Sequence, residues 1–142
     1  MFWVKLVEKR GDLLEAALIL PILTMLVFVT FDLSEKQIVR NAAAKAAREA
    51  ARIYAQQQDM SLAISKAEET FQASSRGFGT LDNIQIQQTS DHLGTYAMAS
   101  VRASFRTGVF DFAWKLVGDD PPDSVTERKV YMIEPTTGQR QY

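Results

Sequence analysis

The sequence predicts an α+β protein: a long N-terminal transmembrane helix continuing into an amphipathic helix, followed by a small antiparallel sheet of about three strands with a short helix. Three observations carry this expectation. An almost wholly apolar run from Leu13 to Phe31, interrupted by Glu15 and Pro21, follows directly on Lys9-Arg10-Gly11. An alanine-rich stretch from Asn41 to Ala51 extends it without a helix breaker. From Leu81 onward the apolar residues change from helical spacing to alternation, the period of a half-buried strand.

The apolar run is the first element. At 1.5 Å per helical residue it reaches about 28 Å, close to the thickness of a bilayer's hydrocarbon core. A secretory signal has a shorter apolar core and a small-x-small cleavage site, whereas here the run continues through Phe28-Val29-Thr30-Phe31 into Asp32. The remaining chain is too short and too polar to enclose such a helix on all sides, so a membrane span is the expectation. Glu15 is the costly residue in it, since an acid at the bilayer centre is disfavoured by about 2.5 to 3.5 kcal/mol. Near one end of the run it can reach the headgroups, or it can serve as a partner charge. Pro21 lacks the N–H that the carbonyl of Ala17 would accept, which predicts a kink around Ala17 to Pro21.

The stem follows. Ile38, Ala42, Ala46, Ala50 and Ile53-Tyr54 recur at helical spacing as a narrow apolar face, and alanine is the strongest helix former. Lys45, Arg48 and Arg52 occupy the other side, with Lys45 and Glu49 spaced as an i,i+4 pair. This side reads as a solvated face, or as a surface for lipid headgroups or a neighbouring subunit. If residues 12 to 55 form one helix, it is about 66 Å long.

A second helix is predicted over Met60 to Ser75, with Met60, Ile64, Ala67 and Phe71 on one side and Asp59 or Ser61 as the cap. Arg76-Gly77-Phe78-Gly79 ends it. Ile84 and Ile86 then mark one strand, and Ala97, Ala99, Val101, Ala103 and Phe105 a longer one, joined by the turn residues Ser90 to Gly94. Val125 to Ile133 should add a third strand. Val109, Phe110, Ala113, Trp114 and Val117 fit a short helix closed by Gly118, which is the expectation, although Phe110, Phe112, Trp114 and Leu116 equally suit an aromatic strand face. Asp119-Asp120-Pro121-Pro122-Asp123 reads as a loop and Thr136 to Tyr142 as a mobile tail.

Composition bounds the function. The chain has 142 residues, net charge −1, no cysteine, one histidine and 23% charged residues. That fits one domain with one anchor and excludes disulfides and thiolate metal sites, and it carries no nucleic-acid signature. A Ser-His-Asp site would have to use His92, which lies in a turn with no nucleophile motif beside it. Gly77-Phe78-Gly79 is not a phosphate loop, and Asp119, Asp120 and Asp123 lack calcium-loop spacing. The expectation is a protein that is not an enzyme and takes no cofactor or metal.

Gly11, Glu15, the apolar run and Pro21 together resemble the start of a type IV pilin-like protein, and the nearer match is the TadE-like minor pilins of the tight-adherence (Tad, Flp) system. Arg40-Asn41-Ala42-Ala43 and Ala47-Arg48-Glu49-Ala50-Ala51-Arg52 are similar to the Ala-rich, Arg-containing helix that follows the anchor in that family. The resemblance implies a basic leader, residues 1–11, cut after Gly11 by a prepilin peptidase. Asp12 would become the new N-terminus and Glu15 the family glutamate, fourth after the cut where the family usually has it fifth. It further implies a transmembrane and stem helix over 12–55, a periplasmic α+β head over 56–142, and a cytoplasmic N-terminus. Positive charge does not choose the orientation, since Lys5, Lys9 and Arg10 on one side match Lys36, Arg40 and Lys45 on the other.

By resemblance, Glu15 meets a neighbouring subunit's N-terminal amine. The partners implied are the peptidase, other minor pilins and the major pilin, the inner-membrane assembly platform, and membrane lipid. The competing expectation is an uncleaved, membrane-tethered periplasmic adaptor or sensor.

Overall fold

The computed structural model describes residues 2–92, 94–106, 118 and 123–133, with side chains from Glu15 onward. The expected short helix over Val109 to Val117, most of the Asp119 to Asp123 loop and the tail from Thr136 lie outside the described residues. Five elements are present in the order α1 (Phe2–Gln57), α2 (Met60–Ser75), β1 (Gly79–Asp91), β2 (Gly94–Phe105) and β3 (Ser124–Ile133). The α+β expectation is met, with one long apolar helix, a second helix and a three-stranded antiparallel sheet. By contacts the chain divides into two compact units, Met1–Ser34 and Glu35–Tyr142.

The first unit is the N-terminal part of α1, and Pro21 lies inside the helical span. Three hydroxyls there fold back onto their own helix. Thr24 Oγ1 donates to the Leu20 carbonyl, Thr30 Oγ1 to that of Leu26 and Ser34 Oγ to that of Thr30, each at 2.8 Å. No hydroxyl of this group needs water as a partner.

The second unit begins with the stem part of α1. Its buried face is wider than the predicted stripe: Val39, Ala42, Ala43, Ala46, Ala47, Ala50, Ala51 and Ile53 are all buried. Two alanine rows rather than one face inward, because side chains without γ atoms let two neighbouring layers approach closely. The expected Lys45–Glu49 pair does not form. Glu49 is instead held by Arg52, whose Nη2 and Nε donate to its two oxygens at 2.6 and 3.1 Å. The guanidinium fork supplies two parallel bonds, which a lysine ammonium cannot match.

Gln58 ends α1 with a left-handed backbone, φ 53°, and Asp59 starts α2. Of the two cap candidates, Asp59 acts: its Oδ1 accepts from the N–H groups of Ser61 and Leu62 at 2.9 and 3.1 Å and from the Ser61 hydroxyl at 2.7 Å. These bonds, the Ser61 hydroxyl first, hold its carboxyl below the usual aspartate range. Ala63, Ala67, Phe71 and Ser75 face inward, and Arg76 and Gly77 close the helix in left-handed conformation.

The sheet has the order β1-β2-β3, all antiparallel. In β2, Ala97, Ala99, Val101 and Ala103 are fully buried, so the alternation read from the sequence is the inner face. In β1 one extra residue, Asp82, sits between the Leu81–Ala103 and Asn83–Arg102 partners. That bulge brings Leu81 onto the same face as Ile84 and Ile86, and the Ser104 hydroxyl bonds the Asp82 carboxylate. One core joins α1, α2 and sheet, in which Phe71, Val39 and Val101 are the largest fully buried side chains among the described residues.

Candidate membrane-inserting and assembly helix

The candidate site is a surface rather than a cleft. Between Leu18 and Leu33, α1 exposes one apolar side chain after another, with Leu18 at 70%, Ile22 at 68% and Leu26 at 65% of full exposure. From Glu15 onward this helix is long and apolar enough to cross a membrane, and its most apolar stretch is wholly unburied. In water such a surface is unfavourable by about 25 cal/mol per Å², whereas in lipid it has no such cost. The hydroxyls of Thr24, Thr30 and Ser34 do not spoil it, since each already donates to a carbonyl one turn back. Length, composition and internal bonding therefore agree on a helix suited to a single membrane pass.

The site residues expected from the sequence all lie on α1. Gly11 and Asp12 belong to its helical span, Glu15 stands exposed at the edge of the apolar surface, and Pro21 lies six residues beyond it. No hydrogen bond or ion pair joins the Glu15 carboxyl to any described residue.

The stem carries a different chemistry. Lys45, Arg48 and Arg52 are exposed, as their expected solvated face requires, and so is Asn41. Arg40 reaches sideways, its Nε 2.9 Å from Glu127 Oε1 on β3. Sequence reading missed this pair, because a contact spanning 87 positions leaves no periodic signal. Elsewhere, His92 is exposed at the β1–β2 turn, where Asp91 Oδ1 accepts its backbone N–H at 2.6 Å and also bonds its ring. Among the described residues no cluster of three or more His, Asp and Glu could hold a metal ion.

These features define a class: a protein with one N-terminal helix capable of a single membrane pass and a small α+β domain that begins with the stem of the same helix. The family model of TadE-like proteins matches residues 13–52, so over the apolar run and most of the stem the chain is similar to TadE-like proteins. No curated protein matches the chain. No solved structure matches it either.

Proposed function

We propose that the chain is a minor pilin-like structural component required for assembly of a Tad-type IV pilus. A prepilin peptidase cuts after Gly11, α1 then stores the subunit in the inner membrane, and the head stays on the periplasmic side until the subunit joins a filament or priming complex. Glu15 pairs with the N-terminal amine of a neighbouring subunit, where low dielectric makes the attraction strong and each charge reduces the other's burial cost. The subunit works by packing rather than catalysis.

One observation carries this reading: the TadE-like match over 13–52 includes the stretch from Leu18 to Leu33, whose apolar surface the fold leaves uncovered. Local chemistry supports the cut as well. Glycine inside a helix lowers stability by roughly 0.5–1 kcal/mol relative to alanine, so the backbone at Gly11 opens more readily for a protease than its neighbours do.

The test is co-expression with an active prepilin peptidase, followed by mass spectrometry of the N-terminus. The expected mature chain begins at Asp12, and Gly11→Leu leaves the full-length form. An intact Met1 beside active peptidase would overturn processing and favour the uncleaved adaptor.

A further inference from the structure

We propose that the outer face of the sheet is a pairing surface for a second copy of this chain. In β2 the inner residues Ala97, Ala99, Val101 and Ala103 are buried, so Tyr96, Met98, Ser100 and Arg102 point to the opposite face. The register places Met132 beside Tyr96 and Val130 beside Met98, which makes an apolar quartet at the hairpin end. Val130 and Met132 are 59% and 49% exposed, although nothing in a monomer requires apolar side chains on a solvated face.

Charge selects the occupant. Beyond the quartet, the same face carries Arg128 beside Ser100 and then Arg102, both exposed. At the other end of the quartet is the hairpin turn with the exposed carboxylate of Asp91, paired in register with Gly94. Consider two sheets packed face to face about a two-fold axis that lies between them and perpendicular to the strands. With the axis over the quartet, Met98 covers Tyr96 of the second copy, Val130 covers its Met132, and Arg102 comes over its Asp91-His92 turn. The same contact then occurs twice, as an isologous interface demands. Sheets pack in this manner about 10 Å apart. The reverse stacking, with the axis along the strands, would lay Val130 and Met132 on the polar Gln87 and Thr89 of β1.

Anchoring of the chains by their apolar helices raises their effective concentration and so favours pairing through this face. It does not depend on leader removal.

The sequence holds no cysteine, so single thiols report on the full chain in membranes without ambiguity. Val130→Cys with a bifunctional thiol reagent spanning about 10 Å should yield cross-linked dimers, whereas Gln72→Cys on the exposed side of α2 should not. Adding Arg102→Asp should lower the dimer yield about fivefold, the effect of one exposed charge pair at each of two symmetric contacts. Combining it with Asp91→Arg should restore the yield, which also shows that the variants fold. Equal dimers from Gln72→Cys, an unchanged yield with Arg102→Asp, failure of the charge exchange, or cross-links to other proteins alone would each overturn the proposal.

Discussion

Arg40 Nε donates to Glu127 Oε1 at 2.9 Å and so ties the stem of α1 to β3, an edge strand of the sheet. The two ends of the pair are unequal, the arginine side chain being 61% exposed and the glutamate 17%. Glu127 lies on the inner face of β3, opposite the fully buried Val101. Removing the guanidinium therefore leaves a poorly solvated carboxylate, while removing the carboxylate leaves a hydrated arginine. Arg40→Ala should destabilise the head by about 1 kcal/mol, Glu127→Gln by less, and the double variant by less than the sum. Thermal unfolding of the full chain in detergent micelles measures all three.

Gly79 is a steric contact point. A Cβ there would lie 2.8 Å from the Ser104 carbonyl oxygen and 2.8 Å from both methyls of Val39. Gly79→Ala should cost about 1–3 kcal/mol by overpacking. Val39→Ala in the same chain should recover only part of it, since the clash with the Ser104 backbone remains.

The Asp59 cap gives the head a pH dependence of known sign. Its carboxyl is held below the ordinary value of 3.8 by the Ser61 hydroxyl and by the N–H groups of Leu62 and Ser61. A depressed folded-state pKa means that the stabilisation is fully present above the unfolded value and is lost as pH falls through the folded one. Stability should thus decline as pH drops below about 4. Asp59→Asn keeps a side-chain acceptor for the helix N-terminus and should flatten this contribution, which a comparison of urea midpoints across pH would reveal.

Glu15→Gln should leave membrane insertion intact, since the amide is less costly in lipid than the acid, yet reduce assembly. Fractionation reports the first and pilus counts by electron microscopy the second. Equal pilus numbers in variant and parent would remove the proposed role of Glu15.

Much of this architecture was legible because it is local. The period of the apolar run, the cap at Asp59, the switch to alternation after Leu81 and the turn residues from Ser90 to Gly94 are each encoded within a few positions. What escaped is what requires two distant segments at once. The second alanine row, Ala43, Ala47 and Ala51, gains meaning only when α2 and the sheet arrive to cover it. Glu127 reads as one charge in an alternating strand until Arg40 stands over it, and the bulge at Asp82 shows only in the register with β2. Lys45 and Glu49 had the right spacing, but spacing does not rank competing donors, and the fork of Arg52 prevailed. For the site, an apolar surface able to cross a membrane was plain from composition, while the apolar quartet on the outer sheet face needed the pairing of β2 with β3.

The alanine seam has a genetic consequence. A core of leucines fails mainly when something is removed, whereas a seam of alanines leaves little to remove. Ala42, Ala46 and Ala50 are each fully buried, so any added group enters the packed interior. Single-base changes in an alanine codon yield valine, threonine, serine, proline, aspartate, glutamate or glycine. All but the last insert bulk, polarity or charge, or break the helix, and glycine loosens it. Point mutation at these positions is therefore expected to be tolerated far less than in a larger-residue core. The part of the stem that looks least specific in composition is the part where inherited change has the fewest harmless outcomes.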